Sequence, residues 1–149
     1  ILHGACRSAG EIAYMRVPAG RLHDVASATY LCREMACKKA ADPEKVDGRT
    51  CFAWVRQGDA TAAAVLDTFC QNLADGLANI ACLCNPDGIV LGGGIMAQED
   101  ILRPKLETAL AARLPAMMLP PKGLAFAKRQ NDAGMLGALY LLLHRKGSY

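Results

Sequence analysis

Apolar residues recur at three- and four-residue spacing from His23 to about Ala40, where Val25, Ala28, Leu31, Cys32 and Met35 share a face and Asp24 stands near the N-terminal end. That pattern predicts one helix. Upstream, residues 3–11 carry Gly4, Ser8 and Gly10 and predict a loop, and Ile12–Val17 predicts a short strand stopped by Pro18 and Gly20. Downstream, Asp42–Gly48 breaks the periodicity with turn residues and predicts a polar surface loop.

A short helix is predicted from about Thr50 to Arg56, ending at Gly58, and Asp59 is placed to cap a second helix that runs to about Cys84 before Asn85-Pro86. On that helix Val65, Phe69, Leu73, Gly76, Leu77, Ile80 and Cys84 form one stripe, and Ala62, Leu66, Cys70, Ala74 and Ala81 make its flanks apolar. A polar edge is left at Asp67, Gln71 and Asp75. A helix apolar around most of its circumference is covered on more than one side. Gly88–Leu91 is a short apolar run and predicts a buried strand of a parallel sheet, followed by Gly92-Gly93-Gly94. Helical spacing resumes from about Asp100 to Arg113, with Pro104 tolerable only in a first turn. Leu119-Pro120-Pro121 breaks the chain, Leu124–Ala127 predicts a second short strand, and Asn131-Asp132-Ala133-Gly134 leads into a last helix ending near Arg145. This order of elements is that of an α/β fold.

Composition narrows the class. The chain has 149 residues, 52% hydrophobic and 21% charged, which excludes a disordered polymer. No apolar run reaches the roughly 18 residues of a membrane span, so no membrane partner is expected. One domain over residues 1–149 is expected. Net charge is +3, and the basic clusters Lys38-Lys39 and His144-Arg145-Lys146 fall near helix ends without interleaved aromatics, so this chain is not expected to bind nucleic acid. Seven cysteines and no secretory signal indicate reduced thiols in a cytoplasmic protein, with Cys32, Cys37, Cys70, Cys82 and Cys84 in apolar, buried company. Cys82 and Cys84 project about 200° apart around a helix, the wrong geometry for one metal ion.

Three consecutive glycines between a strand and a helix let a ligand approach the backbone and expose amide donors, which suits a nucleotide or another anion. The same turn also serves packing alone. Glu11 precedes an apolar segment, and its carboxylate either accepts from ligand hydroxyls or is simply solvated. Asp132 reads as a helix cap. His3, His23 and His144 share no motif with a nucleophile, so no catalytic residue is assigned.

Three segments, taken in order, resemble the signatures of one family. Ala9-Gly10-Glu11-Ile12-Ala13-Tyr14-Met15, Asn85-Pro86-Asp87-Gly88-Ile89-Val90-Leu91-Gly92-Gly93-Gly94-Ile95 and Asn131-Asp132-Ala133-Gly134-Met135-Leu136-Gly137-Ala138 are similar to those of the ROK family of sugar kinases and regulators. The resemblance implies the C-terminal part of an actin-like ATPase (ribonuclease H-like) fold, with helices packed on a short, incomplete, largely parallel sheet. It also implies ATP and a sugar in a cleft between two halves. Glu11 would then hydrogen-bond the sugar, Gly92, Gly93 and Gly94 would line the adenosine pocket, and Asp132 and Gly134 would hold the last helix. Tyr14 stands where many members have His, and residues 16–24 contain no cysteine, so the zinc of those members is not expected. The phosphate loops and general base expected of the other half are not found in residues 1–149, so ATP and Mg2+ belong to a longer parent and the chain alone is expected to be inactive. Its uncovered sheet edge is expected to drive homo-oligomer formation. A sugar-responsive transcriptional regulator with upstream DNA-binding helices is the alternative within the family.

Overall fold

Asp59 starts the helix around which the others are arranged. In the computed structural model, which describes residues 4–129 and 132–144, its carboxylate accepts from the Ala62 N–H at 2.8 Å and opens α4 (Ala60–Cys84). Asn85, with φ 41°, closes α4 in the left-handed conformation that asparagine tolerates. Ala62, Val65, Leu66, Phe69, Cys70, Ala74, Leu77 and Ala81 are buried along it. α1 (Leu22–Ala26), α2 (Ala28–Lys38) and α3 (Gly48–Arg56) pack against α4, as does α5 (Glu99–Ala111). Phe52, Phe69, Leu31, Met35, Leu66, Leu102 and Leu106 form the centre of the core, each at most 2% exposed. A Cβ on Gly76 would stand 2.7 Å from Leu22 Cδ2, so the missing side chain lets α1 lie close to α4.

The single helix expected over residues 23–40 is two. Ser27 is extended, with ψ 162°, and its hydroxyl accepts from the Tyr30 N–H at 3.1 Å to start α2. The carbonyl of Val25 accepts instead from the buried amide of Asn72 on α4 at 3.0 Å. A serine competing with the backbone ladder breaks the helix where apolar periodicity continues through.

The polar edge of α4 is where α5 attaches. Lys105 on α5 pairs with Asp67, and Arg113 donates to Asp75, to the Gln71 side chain and carbonyl, and to Ala109 O. These contacts fasten α5 along its length. Pro104 lies sixth in α5, beyond the first turn to which the sequence confined it, and the helix absorbs it where the carbonyl it deprives, that of Asp100, is at an exposed end.

α5 is the crossover between β3 (Ile89–Leu91) and β4 (Leu124–Phe126), which pair in parallel with Ile89 opposite Leu124 and Leu91 opposite Phe126. Both strands and their parallel sense match the sequence pattern. The burial does not, because Val90 is 69% exposed while Leu91 is buried. The pair is covered on one face only. Of the strand expected over residues 12–17, only β1 (Arg16–Val17) forms, pairing antiparallel with β2 (Gly20–Arg21), and Ile12–Tyr14 is a 3-10 turn. α6 (Asp132–Leu143) is helical as expected, although Asn131 and the predicted end at Arg145 lie outside the described residues, as does His3. From Met135 to Leu143 its large apolar side chains are 47–71% exposed.

Cys51 and Cys70 are buried and Cys32 is half-buried, but Cys37, Cys82 and Cys84 are exposed, against expectation. The last turn of α4 runs past the core, leaving Leu83 82% exposed as well. Burial pushes the Cys51 and Cys70 thiols up to about 12. A colorimetric disulfide-exchange reagent is therefore expected to label Cys6, Cys37, Cys82 and Cys84 quickly in the native protein, and Cys51 and Cys70 only after denaturation. Fast native labelling of Cys70, read by peptide mass mapping, would contradict this packing.

Lys39 donates to Asp59 and stacks over the Trp54 ring at 4.9 Å. The Lys39 ammonium, aided by the Ala62 N–H, holds the Asp59 carboxyl below the usual carboxylate range. A carboxyl whose folded pKa is depressed stabilises the fold above its unfolded value of about 3.9 and loses that contribution as pH falls toward the folded value. Asp59→Asn keeps the cap but removes the charge. Chemical denaturation should show the native protein ahead of Asp59→Asn at neutral pH, with the gap closing below about pH 4.

Candidate functional site

β3 ends in the glycine turn. Gly93, with φ 110° and ψ 162°, occupies backbone space that side chains avoid, and it leads into the 3-10 turn Gly94–Ala97. A Cβ on Gly93 would touch nothing within 4 Å, and one on Gly92 would reach only ordinary contact with Ala127 Cβ at 3.7 Å. The turn's glycines therefore answer to backbone conformation at Gly93, whereas Gly92 is not required by packing.

α3 faces this turn. Asp47 accepts from the Thr50 N–H at 2.8 Å and the Thr50 hydroxyl at 2.7 Å, and these bonds hold its carboxyl below the ordinary range. The helix thereby starts at Gly48, two residues earlier than the periodicity predicted. A Cβ on Gly48 would meet Ile95 Cγ2 at 3.2 Å, so the glycine lets the start of α3 come down onto the turn. Between them lies a groove of about 530 Å³, lined by Gly48, Arg49 and Phe52 on one side and Gly94, Ile95 and Gln98 on the other. Of the three predicted glycines, Gly94 lines this groove and Gly92 and Gly93 do not. The sequence missed α3's contribution. Its signal was the Asp47-x-x-Thr50 cap, hidden in a stretch otherwise read as loop.

Glu11 lies elsewhere. It precedes the Ile12–Tyr14 turn, is exposed, and lines a smaller pocket of about 280 Å³ with Ala13, Tyr14, Arg21 and His23. Asp24 accepts from Arg21 at 2.7 and 3.1 Å, which fixes that guanidinium 6.0 Å above the Tyr14 ring. The two pockets share no lining residue, so the structure does not bring Glu11 and the glycines into one cavity. Asp132 is the first residue of α6, and Gly134 follows in its first turn. Among the described residues no three His, Cys, Asp or Glu side chains are placed to hold a metal ion, and no helix is long and apolar enough to cross a membrane.

The ROK family model matches residues 22–145. An uncharacterized protein of Clostridium perfringens is 41% identical over 140 residues, covering 94% of this chain and 48% of that protein. A glucokinase of Thermotoga maritima is 30% identical over 139 residues, covering 86% of this chain and 44% of the enzyme. The chain thus spans about half the length of the curated relatives it matches. Three solved structures superpose on it. A ROK family protein from Streptococcus pneumoniae in complex with sucrose gives a TM-score of 0.83 at 24% identity, covering 98% of this chain and 53% of that one. A ROK family glucokinase from Streptomyces griseus in complex with glucose and AMPPNP gives 0.76 at 22%, covering 98% and 54%. A ROK family transcriptional regulator gives 0.67 at 23%, covering 84% and 36%. The α/β arrangement, with its small parallel sheet, is that of the actin-like ATPase fold found in the ROK kinases. On the match over residues 22–145, this chain belongs to the ROK family.

Proposed function

We propose that this chain forms the nucleotide-side wall of an ATP-dependent sugar kinase, which transfers the γ-phosphoryl group of MgATP to a hydroxyl of a hexose or glycoside in the cytoplasm. The observation that carries this reading is the groove between the glycine turn and the start of α3. Its volume suits a nucleoside, it lies beyond the carboxyl end of a parallel strand, and Gly94 brings bare backbone to its wall. The glucokinase among the relatives supports the same chemistry.

On this reading Glu11 accepts hydrogen bonds from sugar hydroxyls, as a carboxylate can through both oxygens. The base that takes the acceptor's proton, and the groups around Mg2+, belong to the part of the relatives' length that this chain does not span. Phosphoryl transfer needs nucleotide, metal and acceptor positioned together. The half-length chain is therefore inactive by itself, and the open apolar surface at Val90 and α6 makes it self-associate. The match to a ROK regulator favours a second reading, a sugar-responsive repressor or activator.

The complete protein, incubated with ATP and a panel of hexoses and glycosides, should form ADP with at least one sugar. Absence of turnover with every sugar, together with sugar-dependent DNA binding, would replace the kinase with the regulator. Glu11→Gln should raise the KM for the sugar by about 10- to 100-fold, the value of hydrogen bonds to a charged group, and leave the KM for ATP unchanged.

The glycine turn gives a separate check. Gly92→Ala should fold normally, because its methyl meets only Ala127, and should leave the KM for ATP unchanged, because Gly92 does not line the groove. Gly93→Ala should cost about 1–3 kcal/mol of stability through its backbone conformation. Denaturation curves and KM for ATP, measured on both variants of the complete protein, distinguish these effects.

A further inference from the structure

Gln98 is the last residue before α5, the position at which side chains commonly cap a helix, yet its side chain makes no capping bond. It is engaged elsewhere. Asp100 accepts from Arg56 Nη2 at 2.8 and 3.1 Å, and Arg56 Nη1 donates to Gln98 Oε1 at 2.7 Å. A guanidinium has donors only, so the amide must present its oxygen to Arg56. Its NH2 group is thereby turned away from Arg56, and among the described residues it has no hydrogen-bond partner. Gln98 is half-buried and lines the groove opposite Gly48 and Phe52.

We propose that Gln98, held in one orientation by the Arg56–Asp100 pair, is a specificity-determining residue that donates its amide N–H to a ring nitrogen of a purine nucleotide bound in this groove. The inference rests on the kinase reading for the identity of the nucleotide and adds the group that recognises its base. Ile95 supplies apolar surface against which a flat ring lies, and the ring nitrogens of a purine that carry no hydrogen are acceptors matched to the amide. Arg56 comes from the last turn of α3 and Asp100 from the first turn of α5, so the same contacts that orient Gln98 also fix the width of the groove. Arg56 is a positioning residue: it acts on the ligand through Gln98.

The discriminating variant is Gln98→Glu. A carboxylate still accepts from Arg56, and does so more strongly, but it offers no donor to the ring. Titration of the complete protein with AMPPNP should show affinity reduced by about three- to tenfold or more, the range for one lost hydrogen bond, with the melting temperature unchanged or raised. In turnover assays the loss should fall on the KM for ATP and not on the KM for the sugar. Gln98→Ala, which removes no helix cap, should show a similar loss and guards against misfolding of the glutamate variant. Arg56→Met should give a smaller loss, because the amide remains but rotates freely, and Arg56→Lys should recover part of it.

Unchanged AMPPNP affinity in both Gln98 variants would overturn the proposal, as would failure of the folded complete protein to bind AMPPNP at all. A protein that binds AMPPNP through Gln98 but phosphorylates no sugar would keep this inference and sink the kinase reading instead.

Discussion

The position of the glycine turn and of Gln98 depends on the polar seam between α4 and α5. A helix as apolar as α4 could meet α5 in several registers, because hydrophobic contact has no direction. Arg113 removes that freedom. It reaches the carboxylate of Asp75 together with the side chain and carbonyl of Gln71, and both it and Asp75 are only about one-fifth exposed. Partly shielded charges that also satisfy backbone groups define a geometry better than they add stability. With α5 fixed, the strands at its two ends are fixed too. Arg103, donating to Leu124 O at 2.6 Å and lying over the Phe126 ring at 5.0 Å, ties β4 to the same helix. The glycine turn therefore emerges from β3 at one place relative to α3.

The same arrangement explains where the structure is open. β3 and β4 bury Leu91, Leu124 and Phe126 toward the helices, and the alternate residue Val90 points outward. In a strand, neighbouring side chains occupy opposite faces, so helices on one side can cover only half of them. α6 presents the matching case for a helix. Its hydrophobicity has no preferred side, and an all-round apolar helix is stable in water only when other polypeptide surrounds it. Both features have the composition of interior and the accessibility of surface. The relatives this chain matches are about twice its length.

Much of this was legible in the residues. The capped and terminated α4, the two parallel strands with a helical crossover and the glycine turn all follow from local rules that tertiary contacts reinforce. What escaped was set by long-range partners. Ser27 broke a helix because Asn72, distant in sequence, could take the carbonyl that the break released. Asp67, Gln71 and Asp75 were polar by composition but faced a cationic neighbour that no periodicity reveals. Val90, Cys37, Cys82 and Cys84 looked buried because apolar runs report what a position prefers, not what covers it. At the site, Gly94 was visible as part of a triplet, whereas Gln98 was an ordinary polar residue until Arg56 fixed its orientation.

Glu11 and the glycine turn belong to pockets that share no residues, yet a common element supports both. Glu11 sits beside a turn that packs on α1, α1 packs on α4 through the gap left by Gly76, and the groove at the glycine turn is built by α3 and the start of α5, which pack on α4 as well. One helix thus carries the elements that build both pockets. An enzyme that joins two substrates must hold them at a fixed separation while letting each enter, and a misplacement of about 1 Å is enough to lose rate by orders of magnitude. Under the proposed kinase reading, hanging Glu11 and the glycine turn from the same helix would satisfy the first demand without a direct contact between them.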